Sequence, residues 1–536
     1  MRITLLFVCL LAVLTVSGQS IKPYLQGARP NSLYVNWKTD NGDNPSVVLG
    51  IDPERLDQRF TGTTFVLDPK DTSYDTPYHY HQVHLTGLRP NTGYYYRAVS
   101  GKTDQSAVHY LRTPPARGAQ PDKLRFIVLG DHQVLQWEER EYKKFDQLVA
   151  AAKAKAEEVY GKPLADHVQL ILNDGDQVDL GKLAHYEQLH FKKSSPLTHE
   201  LPLITAVGNH ETYGKTYAGG GIQAYYDHFV LDDDGFAYGG LPSNTERYYA
   251  YQLANVLFTV LDTEQGDSLQ AGWLRRVVEH AAEDAGVQWI VSIGHRPYEA
   301  EQYADDYSAW VGETAMPILQ TTDKFALHIA GHHHLYARGQ FLNHPAYHII
   351  SGGTAWPQYW GDSKLEIDRP ETQMSHSNFA FQLVEIDNAA ASLRVRSYTI
   401  GSLQREKDSE LLDEFYLQRG VAVPQRPTLQ EEDGELIGSA YVSPAGEPLN
   451  SSQFQLAADA GFVDIRHGNF RHVANWFGPL NGRTDETENV GLGQGIIRLK
   501  LATLDLAPGE YYGRVRYRDA NLGWSAWSAP RRFKLE

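Results

Sequence analysis

The sequence predicts an α/β core set between two β-sandwiches, and three successive textures along the chain predict it. Short alternating strands with turn residues run from Ile21 to about Thr113; strands separated by helices follow from Leu124; an all-β texture returns after about Gln418. At 536 residues the chain has length for roughly two to four domains and a sizeable core. The expected division is a leader over 1–18, a first sandwich over 19–116, the α/β core over 117–417 and a second sandwich over 418–536.

Met1-Arg2, an apolar stretch over 5–16 and the small residues Ser17-Gly18 have the layout of a cleaved secretory signal, so the mature chain is expected to begin near Gln19. The only cysteine, Cys9, lies in that stretch and would leave with it, which predicts a periplasmic or secreted protein without thiols or disulfides. No later run is long enough to span a bilayer. Lys plus Arg number 49 against 66 Asp plus Glu, a formal net charge of −17. With no local basic patch, that balance excludes nucleic acid as a partner.

The first sandwich is read from strands over 32–37, 81–85 and 94–98, the last preceded by the turn Leu88-Arg89-Pro90-Asn91-Thr92-Gly93. The pattern is of immunoglobulin type, and the Pro-rich link over 113–118 closes it. His79, His81 and His84 read as a solvated strand edge rather than an extra metal site. Asp232-Asp233-Asp234-Gly235 lacks the alternate ligand spacing of a calcium loop and reads as a polar turn.

In the core, strands are expected over 124–129, 167–172, 256–261 and 287–293, with helices over 143–159 and 269–282. Five blocks stand out: Gly130-Asp131-His132-Gln133, Gly175-Asp176-Gln177-Val178-Asp179, Gly208-Asn209-His210-Glu211, Gly294-His295 and Gly331-His332-His333-His334. Singly each reads as a turn. Four of them directly follow apolar strand-like runs, where ligands of α/β proteins collect. Their donors are carboxylate, amide oxygen and imidazole without a thiol, a set that suits zinc, iron or manganese. Together they read as a two-metal hydrolytic centre. In the last block His332 and His334 are expected to point the same way along an extended segment, with His333 opposite.

The second sandwich begins at Val421-Ala422-Val423-Pro424 and runs through Tyr511 to Arg518 into Trp524-Ser525-Ala526-Trp527-Ser528. Alternation places Arg514, Arg516 and Arg518 on one face, where their guanidinium groups can stack on the two indoles. The run resembles the ladder of cytokine-receptor fibronectin-type domains and reads as structural; cell-surface or glycan contact through this sandwich is the alternative. Tyr225-Tyr226 and Tyr248-Tyr249 read as packing, while Trp356, Tyr359 and Trp360 are candidates for lining a substrate cleft.

Over residues 21–355 the chain resembles the purple acid phosphatase branch of the calcineurin-like metallophosphoesterases. The resemblance rests on the five blocks, on the phrase from His81 to Arg97, on Gln270-Ala271-Gly272-Trp273-Leu274 and on Gly331 to Arg338. It implies a metallophosphoesterase α/β sandwich, two central sheets flanked by helices, behind a fibronectin type III-like amino-terminal domain. It also implies a small-molecule phosphoester substrate and two divalent or trivalent metal ions, Fe, Zn or Mn. By the same resemblance Asp176 bridges both ions, Asp131 and His334 complete one, and Asn209, His295 and His332 complete the other. His210 would then stand beside the phosphate and protonate the leaving alcohol, with metal-bound hydroxide as nucleophile.

Three departures matter. Coloured members carry tyrosine three residues after the shared aspartate, and here Asp179 stands there, so a colourless enzyme is expected. Other members carry histidine two residues after the first aspartate, where this chain has Gln133; His132 comes one residue early and should aim away. The fourth ligand of the first metal is therefore Asp179, Gln133, His132 or water. Ala304-Asp305-Asp306 replaces histidines that bind phosphate in plant-type members. An acid-phosphatase-like phosphomonoesterase is the first expectation, a phosphodiesterase with the same centre the second, and a surface binding protein with a degenerate site the third.

Overall fold

The computed structural model describes residues 22–40, 42, 44–67, 78–102, 104–133, 139–213, 222–231, 238–301, 307–355, 369–402, 405–477, 488–491 and 493–535. The leader with Cys9, Asp232 to Gly235, Ala304-Asp305-Asp306, Trp356, Tyr359 and Trp360 lie outside them. Among the described residues no helix is long and apolar enough to cross a membrane.

The run Lys123–Leu129 is rich in Phe, Ile, Val and Leu and buried toward its end, as a strand covered on both faces must be. It pairs in parallel with Leu170–Asn173, which pairs in parallel with Leu203–Thr205. On its other side the antiparallel strands Phe379–Asp387, Ser392–Gly401 and Glu406–Gln418 complete a six-stranded sheet. A second sheet is built on Val256–Val260, Trp289–Ile293, Phe325–Ala330 and Tyr347–Ser351, all parallel. Tyr249–Leu253 borders it on one side, and Tyr336–Gln340 and Thr372–His376 on the other.

The two sheets share one apolar core, in which the Phe126 and Phe258 rings meet edge to face at 5.4 Å. The helix Glu139–Tyr160 covers the first sheet with Leu148, Val149, Ala152 and Ala156. The helix Ser268–Glu283 covers the second with Trp273, Leu274, Val277, Val278 and Ala281, residues spaced to share one helical face. Asp267 caps it, accepting the Gln270 backbone N–H at 2.8 Å. This is the expected α/β sandwich, with helix ends within a few residues of the positions read from periodicity.

The amino-terminal sandwich closes around Val35, Trp37, Leu49 and Tyr96. Here the reading of His81 is corrected. It is fully buried, because Tyr78–Leu85 is an interior strand paired with both Ser32–Thr39 and Thr63–Leu67. Its ring nitrogens face the hydroxyls of Thr39 at 2.6 Å and Thr64 at 2.8 Å. The sandwich is bonded to the core: the Tyr96 hydroxyl donates to the His199 carbonyl at 2.7 Å, and Tyr110 and Arg112 both reach Asp166.

Beyond 418 a three-stranded and a four-stranded sheet pack around Leu436, Phe454, Leu456, Val515 and Phe533. Within this region Ala474–Phe477 and Glu488–Gly491 leave the sandwich and extend the core's second sheet, Trp476 pairing with Met374. The arginine and indole ladder forms: Arg514 lies over Phe462 and Trp527, Arg516 over Trp527 and Trp524, and Arg518 near Trp524. Arg518 is buried and donates to the carbonyls of Leu522, Phe341 and His344 at 2.8 to 3.0 Å.

Candidate metal centre

The strands Lys123–Leu129, Leu170–Asn173, Trp289–Ile293 and Phe325–Ala330 end side by side, and the residues that follow them turn inward together. Asp131, Asp176 and His332 all have left-handed backbones, with φ of 50°, 50° and 69°. Such a conformation costs a non-glycine residue roughly 1 kcal/mol. The last block is thus not the extended segment expected. Tight turns, with His333 N–H donating to Gly331 O at 2.8 Å and Leu335 N–H to His333 O at 2.6 Å, coil it so that the rings of His332 and His334 both reach the aspartates.

Ligand atoms of Asp176, His295 and His332 lie within 4.8 Å of one another, and so do those of Asp131, Asp176 and His334. Asp176 belongs to both groups. His295 Nε2 stands 3.2 Å from Asp176 Oδ2 and 3.0 Å from Asn209 Oδ1, and His332 Nδ1 stands 3.1 Å from the same amide oxygen. The Asn209 amide nitrogen donates instead to the Tyr213 hydroxyl at 2.8 Å, so its oxygen faces the imidazoles. His295 Nδ1–H donates to the Asp174 carbonyl at 3.0 Å, which leaves Nε2 as the donor atom toward the centre. On the first side His334 Nε2 is 3.6 Å from Asp131 Oδ1, and both Asp131 oxygens accept the His332 backbone N–H.

The electrostatics are those of a site built for positive charge. Burial pushes Asp131 well above the ordinary carboxylate range, opposed by His295 and reinforced by Asp176 and Asp174. Burial acts on Asp176 in the same direction, but the imidazoles of His295 and His210 and the His210 backbone N–H overcome it and hold that carboxyl low. Asp174 is driven up to about 8, chiefly by burial, and among the described residues neither of its carboxyl oxygens has a hydrogen-bond partner.

The four candidates around the first trio separate. His132 is aimed away as expected: its ring stacks on Phe145 and its Nε2 faces His190 at 2.8 Å. The Asp179 carboxylate lies outside both trios, 4.0 Å from His210 Nδ1. Gln133 faces the trio, its amide 2.9 Å from His334 Nε2 and 3.2 Å from Asp176 Oδ2, while its buried Oε1 has no partner among the described residues. Turning that amide over would present the oxygen to the trio. His210 Nδ1–H donates to the Asp179 carbonyl at 2.8 Å, and its partly exposed ring holds Nε2 3.9 Å from Asp176 Oδ2.

Glu211 was not among the expected residues, although it lies in the third block. Its buried carboxylate accepts the backbone N–H groups of Gly208, Asp176 and Gln177 at 2.7 to 2.9 Å, tying two ligand loops together. Burial and the neighbouring Asp176 raise it to about 7. Its spacing three residues after a glycine at a helix start is the capping pattern that could have marked it. Arg296 was also passed over. Nothing in its local sequence places its guanidinium against His332.

Residues 19–113 match the purple acid phosphatase N-terminal domain, and residues 124–336 match the calcineurin-like phosphoesterase domain. Purple acid phosphatase 15 of Arabidopsis thaliana is 24% identical over 300 residues, covering 51% of this chain and 53% of that protein. An uncharacterized protein of Mycobacterium tuberculosis is 24% identical over 366 residues, covering 61% and 62%. The matched region thus spans between about half and three-fifths of those relatives. Two solved structures share the fold. The yellow lupin purple acid phosphatase PPD1 has a TM-score of 0.58 at 17% identity, with 74% of each chain covered. PhoD has a TM-score of 0.55 at 13% identity, covering 79% of this chain and 92% of its own.

Proposed function

We propose that this chain, which carries the amino-terminal and catalytic domains of the purple acid phosphatase-like metallophosphoesterases, is an exported hydrolase of small phosphomonoesters. The observation that carries the reading is the sharing of Asp176 between two ligand trios. Asp131, Asp176, His334 and Gln133 would hold one cation, and Asp176, Asn209, His295 and His332 the other. In this role Gln133 replaces Asp179, because it is the amide that faces the trio. Cations held by these residues would supply Lewis acidity, which would lower the pKa of bound water and neutralise charge on the phosphoryl oxygens. With amide, imidazole and carboxylate donors and no phenolate, zinc, manganese or ferrous iron fits and the protein should be colourless.

The chain's own contribution to the reaction is orientation and one proton. His210 is held by the Asp179 carbonyl through Nδ1, which leaves Nε2 to donate to the departing alcohol. Tyr213 fixes the amide of Asn209 so that its oxygen, not its nitrogen, is presented. Export is supported by the leader-like first 18 residues, and mass measurement of the secreted chain should place its start near Gln19.

Elemental analysis of purified protein, paired with rates on an aryl phosphate and a bis-aryl phosphate, tests the reading. About two ions per chain and faster monoester turnover are expected. A faster diester rate would move the assignment to a phosphodiesterase, and metal-free, inert protein would leave a binding protein. Asp176→Asn should lose both ions. His210→Ala should keep them yet lose turnover of an alkyl phosphate by about 10²-fold or more; an unchanged rate discards the proton-donor role.

A further inference from the structure

We infer that Arg296 is a phosphate-contacting residue of this centre that favours dianionic monoesters over diesters; the inference rests on the hydrolytic reading above. Arg296 directly follows His295, and its backbone N–H is anchored to Thr263 Oγ1 at 2.8 Å. The guanidinium is gripped as a fork: Nε lies 2.8 Å from Glu264 Oε1 and Nη2 lies 3.2 Å from Glu264 Oε2. This grip directs the Nη1 edge to His332, 3.0 Å from its Nε2. Arg296 therefore adjoins both histidines of the second trio, one in sequence and one in space.

The pair lies where the buried centre meets solvent, with 22% of the arginine side chain and 12% of the glutamate exposed. The arginine side chain is thus within reach of solvent beside the second trio. The need for a cation there is physical. Asp131, Asp174, Asp176 and Glu211 put four buried carboxyl groups around the centre, and the whole chain carries −17. A monoester brings a second negative charge that a diester lacks, together with an additional unesterified oxygen. A guanidinium held in plane by Glu264 places a fixed positive charge beside such an oxygen. Glu264 acts as the positioning residue, since its two contacts set the plane of the fork.

The test uses the full metal-loaded chain with Arg296→Gln, Arg296→Lys and Glu264→Gln. Three quantities are read: metal per chain, inhibition by inorganic phosphate with its affinity by calorimetry, and the monoester to diester ratio of kcat/KM. Arg296→Gln should keep wild-type metal content, weaken phosphate on the order of tenfold or more, and lower the ratio by a similar factor. Arg296→Lys should fall between, keeping charge without the fork, and Glu264→Gln should show a loss of roughly threefold. Wild-type phosphate affinity and ratio in a folded Arg296→Gln chain would overturn the inference. So would loss of metal in both arginine variants, which would make Arg296 a support for His332 instead. If the wild type itself binds no metal and cleaves neither ester, the hydrolytic reading has failed; if it is active and Arg296→Gln matches it, only the inference has.

Discussion

Glu211 shows what single residues do here beyond ligation. Its carboxylate satisfies three buried backbone N–H groups from two loops, one of which carries Asp176 and the other Asn209. Truncation leaves those donors without an acceptor, at roughly 1–3 kcal/mol for each buried unsatisfied group. Glu211→Ala should therefore destabilise by at least about 3 kcal/mol and lower the metal content, read from urea midpoints and elemental analysis. A variant with wild-type midpoint and metal would show that the loops are anchored elsewhere. The local sequence marks Glu211 only as a capping residue; that it also reaches Asp176 and Gln177 depends on a loop more than thirty residues upstream.

At the scale of elements, the recurring device is a strand that ends in a left-handed residue. Asp131, Asp176 and His332 each turn the chain sharply enough to fold their donors back over the sheet edge. Glycines make room for it. A Cβ on Gly331 would stand 2.1 Å from Asp131 Oδ2, inside any tolerable contact. Gly331→Ala should consequently lose metal at the first trio while the far-UV spectrum stays native, and two ions retained per chain would contradict the packing argument. The sequence placed these strands and their terminal blocks correctly. It missed the turn at His332, because alternation is a rule for extended chain and a left-handed residue breaks it.

For the whole molecule, the question is how the flanking sheets are bound to the core. His109 of the sandwich and His199 of the core bring their rings to 4.4 Å. Burial, with His199 alongside, lowers His109 to about 4, and burial, with Lys153, lowers His199 to about 4, both from 6.5. Folding therefore favours the neutral rings. The stability they contribute is complete above pH 6.5 and is lost as the pH falls toward 4, on the order of 1 kcal/mol per ring between pH 7 and 5 after solvent screening. Thermal scans across that window should show a falling midpoint, shallower in a His109→Gln, His199→Gln double variant. At the other end Arg518 ties the ladder to the turn between Tyr336–Gln340 and Tyr347–Ser351, just beyond His334. Arg518→Met removes three hydrogen bonds, although the His344 carbonyl keeps the Ala346 N–H at 2.9 Å, and should lower the melting point by several degrees in a single shared transition. A separate early transition would mean that the carboxy-terminal sheets unfold on their own.

The sequence by itself determined the α/β sandwich, the amino-terminal sandwich and the set of oxygen and imidazole donors at strand ends, because periodicity and ligand chemistry are written locally. Only the tertiary structure decided that Gln133 rather than His132 or Asp179 faces the first trio, that His81 is core, that Arg296 meets His332, and that Ala474–Phe477 joins a sheet built from residues a hundred or more positions earlier. Each of these is a contact between segments far apart along the chain. Such contacts are selected by packing and by the pairing of buried polar groups, and no window of local sequence contains both partners.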